Sequence, residues 1–258
     1  MYATLFVLGF RRWSAYRAAA LGGAFTNCVF GLIRSAVMAA VVAGAGGALA
    51  GYDATTSATY VWLGQALIGP VQLFTWTELA QRIRTGDIAI DLARPADPLL
   101  SYLAADLGRA AFSLLPRGLP PMAVGLLATG LALPHAVAPY ALGLASVVLA
   151  AALSFACRWL VNLSAFWLLD LRGPMTLYLV LSGVLCGLVV PVHWFPGWLA
   201  ALAAATPFPS MLQAPIDVLM GRAGAQAVLL QLLWLIGLLA LGRAGFALGA
   251  RKLVVQGG

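Results

Sequence analysis

Polar positions are scarce along this chain, and where they fall divides it into segments. Tyr2, Phe6, Phe10, Trp13 and Tyr16 recur at spacings of four, four, three and three, one stripe of an amphipathic helix, with Arg11, Arg12 and Arg17 beside it. The stripe predicts an interfacial helix over residues 1–17, or else the opening of the first span. Apolar stretches follow at Ala18–Ala50, Thr59–Ala80, Ala110–Leu133, Tyr140–Leu169, Pro174–Val192 and Ala223–Ala244, six candidate membrane crossings. Residues 193–222 read differently. Gly197–Ala205 and Met211–Met220 are too short to cross, which predicts short re-entrant helices before the last span, and Ser210 with Gln213 has the spacing of a capping box. The early stretch Ala3–Phe10 precedes its arginines rather than following them, so it is expected to be retained rather than cleaved as a leader.

Composition agrees with this division. Of 258 residues, 62% are hydrophobic and 9% charged, against about 25% charged in soluble domains, and the mean hydropathy is +0.95. The expected class is an all-α integral membrane protein with six transmembrane helices, forming a single permease-sized domain over 1–258. The net charge of +7 does not call for nucleic acid, because the basic residues sit in short connections beside apolar spans. Eleven fall in segments that one side would share, Arg222 alone falls on the other, and Arg34, Arg117 and Arg158 lie within spans. By the positive-inside rule this predicts both termini in the cytoplasm.

One connection stands apart. Residues 81–109 (QRIRTGDIAIDLARPADPLLSYLAADLGR) hold four of the fifteen basic and four of the eight acidic residues. Gly86 can end a helix arriving from the membrane, and Arg94-Pro95 and Asp97-Pro98 impose extended or turn geometry before each proline. After Pro98, Leu99, Leu100, Leu103 and Leu107, with Asp106 and Arg109 opposite, predict an amphipathic helix on the membrane surface. The stretch reads as a docking surface for a soluble partner, or as a solvated connector with structural turns.

Polar residues inside the spans need a reason to be there. Arg34 and Arg117 each call for a carbonyl or acidic partner, or a place on a transport route. The second span carries Gln65, Pro70, Gln72, Thr75, Thr77 and Glu78; Pro70 is expected to kink it, and Glu78 to lie at the edge or touch substrate. Arg158 and Asn162, four apart, share a face predicted to point inward. Pro116, Pro120 and Pro121 predict a bent third span, and Gly183 with Gly187 has a GxxxG spacing that permits close helix contact. Catalytic signals are missing: the single lysine, Lys252, follows no glycine-rich loop, no HExxH occurs, and Cys28, Cys157 and Cys186 lie in apolar runs with no metal-site spacing. No bound cofactor and no enzymatic activity are expected of this chain, so uphill transport would draw on a partner or an ion gradient. An ion-coupled transporter usually needs a carboxylate deep in the membrane, and no acid lies clearly at mid-span.

Gly86-Asp87-Ile88 followed by Leu92-Ala93-Arg94-Pro95 and Pro98-Leu99 resembles the cytoplasmic loop of six-helix permeases of ABC type-2 exporters. Thr206-Pro207-Phe208-Pro209, with Pro215 and Leu219-Met220-Gly221 downstream, resembles the segment before that family's last helix. The resemblance covers essentially the whole chain. It implies that Gly86, Asp87, Ile88, Asp91, Leu92, Arg94, Pro95, Asp97 and Pro98 belong to a coupling element seated on a separate cytosolic ATPase dimer, where ATP and magnesium would bind. It further implies a second permease, related or identical, in a bacterial cytoplasmic membrane, and export of drugs, antibiotics or cationic compounds.

Overall fold

The computed structural model describes residues 1–73, 76–168 and 170–252. Thr75, Leu169 at the end of the fourth span and the last six residues lie outside this description. The described chain is helical, with one isolated antiparallel bridge between Leu49 and Tyr52. Its helices are α1 (Tyr2–Ser14), α2 (Arg17–Gly44), α3 (Ala54–Val71), α4 (Glu78–Thr85), α5 (Ile88–Leu92), α6 (Pro98–Thr129), α7 (Ala138–Leu163), α8 (Arg172–Leu185), α9 (Gly197–Ala204), α10 (Gln213–Leu219) and α11 (Ala225–Ala250).

Four of these, α2, α6, α7 with its 3-10 extension to Phe166, and α11, are long and apolar enough to cross a membrane. The remaining two expected spans are shorter than the hydropathy implied. α3 starts at the Asp53 cap rather than at Thr59, ends at Val71 rather than Ala80, and has 18 residues, about 27 Å at 1.5 Å per residue. Pro70 leaves the Ala66 carbonyl without its helical donor, and Gln72 turns the chain into the left-handed region at φ 43°. α8 stops at Leu185 rather than Val192, and Gly187 follows at φ 85°. Gly187 therefore lies outside the helix, and Gly183 and Gly187 form no common helix face.

The third span differs in the opposite sense. No separate surface helix exists over 99–109, because residues 98–109 are the first three turns of α6, a continuous 32-residue helix. Asp97 starts it by accepting from the Leu100 amide at 3.0 Å, with Pro98 at the first helical position. Gly108 does not break the helix between Leu107 and Ala110, since it packs against the Phe6 backbone, and the polar side chains on either side of it are bonded within the protein.

α3 occupies the centre, between α2, α6 and α7. Its Trp62 ring is wholly buried in a slot that Gly31 of α2 and Gly125 of α6 leave open, and its indole N–H donates to the Thr129 hydroxyl at 3.0 Å. Leu153 and Cys157 of α7 and Ile216 of α10 pack against Tyr60, Val61 and Leu67 of α3 in the main core. Lipid tails are as apolar as these side chains, so within a membrane such a layer is held by close van der Waals packing and interhelical hydrogen bonds rather than by exclusion of water. α1 is docked on α6 by mutual close approach: Gly9 meets the Ala105 backbone, Gly108 meets the Phe6 backbone, and Phe10 packs edge-on against Phe112 at 5.5 Å. The other aromatic residues of its stripe, Tyr2, Phe6, Trp13 and Tyr16, remain exposed. α11 is joined to α7 by buried Gln231, which accepts from the Ser146 hydroxyl at 2.7 Å and donates to the Ser210 carbonyl at 2.8 Å.

Candidate coupling element and its buried anchors

Residues 78–97 form a compact polar unit at one end of the bundle. α4 buries Leu79, Ala80 and Ile83, turns Arg84 outward and keeps Arg82 half-buried. Gly86 closes it at φ 82°, a conformation that strains any residue with a Cβ. In the one-turn α5, Ile88 is fully buried beside Leu79, Ile83, Leu99 and Trp159, whereas Ile90 and Leu92 are exposed. Asp91 is the internal tie: its carboxylate accepts from Arg82 Nε at 2.8 Å and the Tyr102 hydroxyl at 2.9 Å, and pairs with Arg94 at 3.6 Å. Asp87 is exposed and accepts from the Thr85 hydroxyl at 2.7 Å.

Its acidic side chains also tie the unit to three other helices. Glu78 pairs with Arg12 of α1 at 3.3 Å, Asp91 holds Tyr102 of α6, and Asp97 caps α6 while pairing with Arg243 of α11 at 3.0 Å. Side chains from near both termini thus reach the same end of the bundle. Arg84, Asp87, Ile90, Leu92, Arg94 and Pro95 are left as its exposed strip.

Beneath it lies a buried network in which Arg158 and Asn162 face inward as expected, while the amphipathic pattern had misplaced Asp106 and Arg109 in water. The Asp106 side chain is 9% exposed and those of Arg109 and Arg158 are 6% and 2%. Asp106 accepts from Arg109 Nε at 2.7 Å and from Arg158 Nη2 at 2.8 Å. Arg109 also donates to the carbonyls of Gly69 and Pro70 at 2.9 and 3.0 Å, and Ser154 donates to that of Val71. Asn162 donates to the Trp76 carbonyl at 2.7 Å and accepts from the Ala80 amide at 3.0 Å. α6 and α7 therefore supply the partners that the end of α3 and the start of α4 lack, as orphan helix termini require. Arg158 and Asn162 are brought together here, and Glu78 lies apart from them with Arg12. Arg34 donates to the Leu188 and Val189 carbonyls beyond the end of α8. Arg117 lies between Gly23 of α2 and Gly69 of α3 and makes no hydrogen bond or ion pair among the described residues.

A second network, at the opposite end, escaped sequence reasoning. Ser210 does not cap α10, whose N-cap is Leu212; Gln213 points inward instead. Its carbonyl oxygen accepts from the Tyr60 hydroxyl and the Val192 amide, both at 2.8 Å, and its amide donates to Asp217 at 3.0 Å. Asp217 also meets His193 at 2.8 Å and Tyr52 at 3.5 Å. Burial, followed by the neighbouring Asp217 carboxylate, pushes the Tyr52 phenol up to about 12. The Arg222 guanidinium covers the Tyr52 ring at 4.0 Å. The four-residue spacing of Gln213 and Asp217 was the available signal, but their partners Tyr52 and Tyr60 lie more than 150 positions away.

No match was found among curated proteins or among solved structures. Against protein families, the chain matches the one described as ABC-2 family transporter protein over residues 31–257. That stretch takes in the 78–97 unit, both buried networks and every helix from α3 onward. The chain belongs to the ABC-2 transporter family, as a multi-pass membrane subunit of a transporter that works with an ABC ATPase.

Proposed function

We propose that residues 78–97 seat the ATPase and that the chain is the permease half-unit of an ATP-driven exporter. The observation that carries this reading is the connectivity of the unit: one exposed strip, tied at once to α1, α6 and α11. A push on such a strip is delivered to three helices rather than absorbed in a loop. The expected 81–109 coupling loop is thereby narrowed, since 98–109 belong to α6. The same end carries Arg12, Arg82, Arg84, Arg94 and Arg243, which supports a cytoplasmic placement with both termini inside and an even number of crossings, six if α3 and α8 are counted.

In this reading, ATP and magnesium bind between two ATPase subunits, whose closure moves the 78–97 units of two permeases, identical or related, and rocks them toward release outside. The cargo is an amphiphilic small molecule of the drug or antibiotic kind. An ion-coupled alternative finds no support in Asp106, the acid buried in α6, because two arginines already hold it.

The test uses inverted membrane vesicles containing the chain with its co-purified ATPase. Asp87→Lys and Arg94→Glu, both on the exposed strip, should each reduce ATP-dependent transport to background while leaving the amount of protein in the membrane unchanged. Undiminished transport in both refutes the seating, and purification without any ATPase refutes the exporter.

A further inference from the structure

Beside the 78–97 unit lies a cavity of about 1310 Å³, larger than the ~300–1,000 Å³ of ordinary ligand pockets. α1 forms one wall, Gln72, Trp76 and Thr77 with α4 and α5 a second, and the first turns of α6 a third. Leu5, Leu8 and Trp13 make one side apolar, and the rings of Trp76 and Tyr102, 5.8 Å apart, continue it.

The lining also carries eight charged side chains, five basic and three acidic. All three of its acids are already engaged: Glu78 by Arg12, Asp91 by Arg82 and Arg94, and Asp106 by Arg109 and, from behind, Arg158. Arg11 lines the cavity with no ion pair among the described residues. Five lining arginines and Arg158 thus face three carboxylates, leaving three positive charges uncompensated. Arginine forks match phosphate and carboxylate oxygens geometrically as well as electrostatically.

We propose that this cavity binds an amphiphile with an anionic head, a phosphate or a carboxylate, its head on the arginine side and its chain along Leu5, Leu8 and Trp13. A cationic amphiphile meets uncompensated like charge here, so any cationic cargo travels by another surface. The head has two possible sources, a membrane phospholipid or a free amphiphile. The inference goes beyond the coupling role and is tested without the ATPase, so the failure of one leaves the other standing.

The full-length chain, purified in mild detergent, is titrated with dodecyl phosphate, phosphatidylglycerol, dodecyltrimethylammonium and inorganic phosphate, and 1:1 adducts are read by native mass spectrometry. Dodecyl phosphate or phosphatidylglycerol should bind at least ~10-fold more tightly than the cationic amphiphile, as like charge in a partly desolvated site requires. A tighter phosphatidylglycerol adduct identifies phospholipid as the source, and a tighter dodecyl phosphate adduct identifies a free amphiphile. Ser101→Trp, which fills the cavity from α6, should abolish the adduct. Arg11→Gln, which breaks no pair, should weaken it about fivefold, the size of one charge interaction across such a site. Equal affinity for cation and anion, inorganic phosphate binding as tightly as dodecyl phosphate, or undiminished binding in both variants overturns the proposal. If Ser101→Trp fails to fold, the Arg11→Gln titration decides.

Discussion

Asp106→Ala puts the buried network to its hardest test. The carboxylate accepts three charge-assisted hydrogen bonds: from Arg109 Nε at 2.7 Å, Arg109 Nη2 at 3.2 Å and Arg158 Nη2 at 2.8 Å. Without it, two guanidinium groups in residues 5% and 2% exposed face each other with no anion between them. Removing one partner of a buried pair costs about 3–5 kcal/mol, and here two arginines lose theirs, which places the loss at the upper end. At about 2–4 °C per kcal/mol for a chain of this size, the unfolding midpoint should fall by roughly 10–20 °C. Arg158→Met is the informative comparison. It leaves Asp106 held by Arg109 and keeps the packing volume, so its cost should be only about 1.5–3 kcal/mol, the scale of one charged hydrogen bond. The double variant should be more stable than Asp106→Ala alone, because one of the two stranded charges is gone. Scanning fluorimetry of the native tryptophans, with the protein in lipid nanodiscs, orders the three. An Asp106→Ala midpoint within ~3 °C of the parent, or a larger loss for Arg158→Met, refutes the account of this network.

Two further outcomes follow from other contacts. Gly108→Val should loosen α1 from α6, since a Cβ there meets the Phe6 backbone, at a cost of about 1–3 kcal/mol of overpacking; faster tryptic cleavage after Arg11 and Arg12 reads it, with Gly22→Val, which meets nothing, as the control. Tyr52 makes stability sensitive to alkali. Its folded phenol titrates at about 12, above the ~10 of an unfolded tyrosine. The stabilisation is therefore complete below pH ~10 and is lost as pH rises toward the folded value. Tyr52→Phe should flatten that limb of the stability–pH profile, and an unchanged limb would assign it to other groups.

The class, the family and the short helices before the last long one were legible because they rest on local information. Hydropathy marks spans, and Gly86, Pro95 and Pro98 act on their own backbones. Helix ends were not legible. α3 stops at Val71 because Arg109 and Ser154, about 40 and 80 positions away, take over its last carbonyls. An amphipathic stripe also says that one face differs from the other without saying what the polar face meets. For Asp106 and Arg109 it meets Arg158 and the end of α3, so a pattern that ordinarily marks a helix on a surface marked one inside a bundle. The Ser210 and Gln213 spacing misled for the same reason: Tyr60 and Asp217 compete successfully for the Gln213 side chain.

The continuity of α6 has a mechanical consequence. Its 32 residues make a rod about 48 Å long at 1.5 Å per residue, with Asp97 at one tip and Thr129, bonded to Trp62, at the other. Pro116, Pro120 and Pro121 remove amide donors within six positions and make that stretch the compliant part of the rod. A bend there leaves arms of about 27 Å on the Asp97 side and about 12 Å on the Thr129 side. Displacement at the polar end is then taken up as a change of angle at the prolines, so the long arm can swing with the 78–97 unit while the short arm stays seated on Trp62, and the joint decouples the two ends.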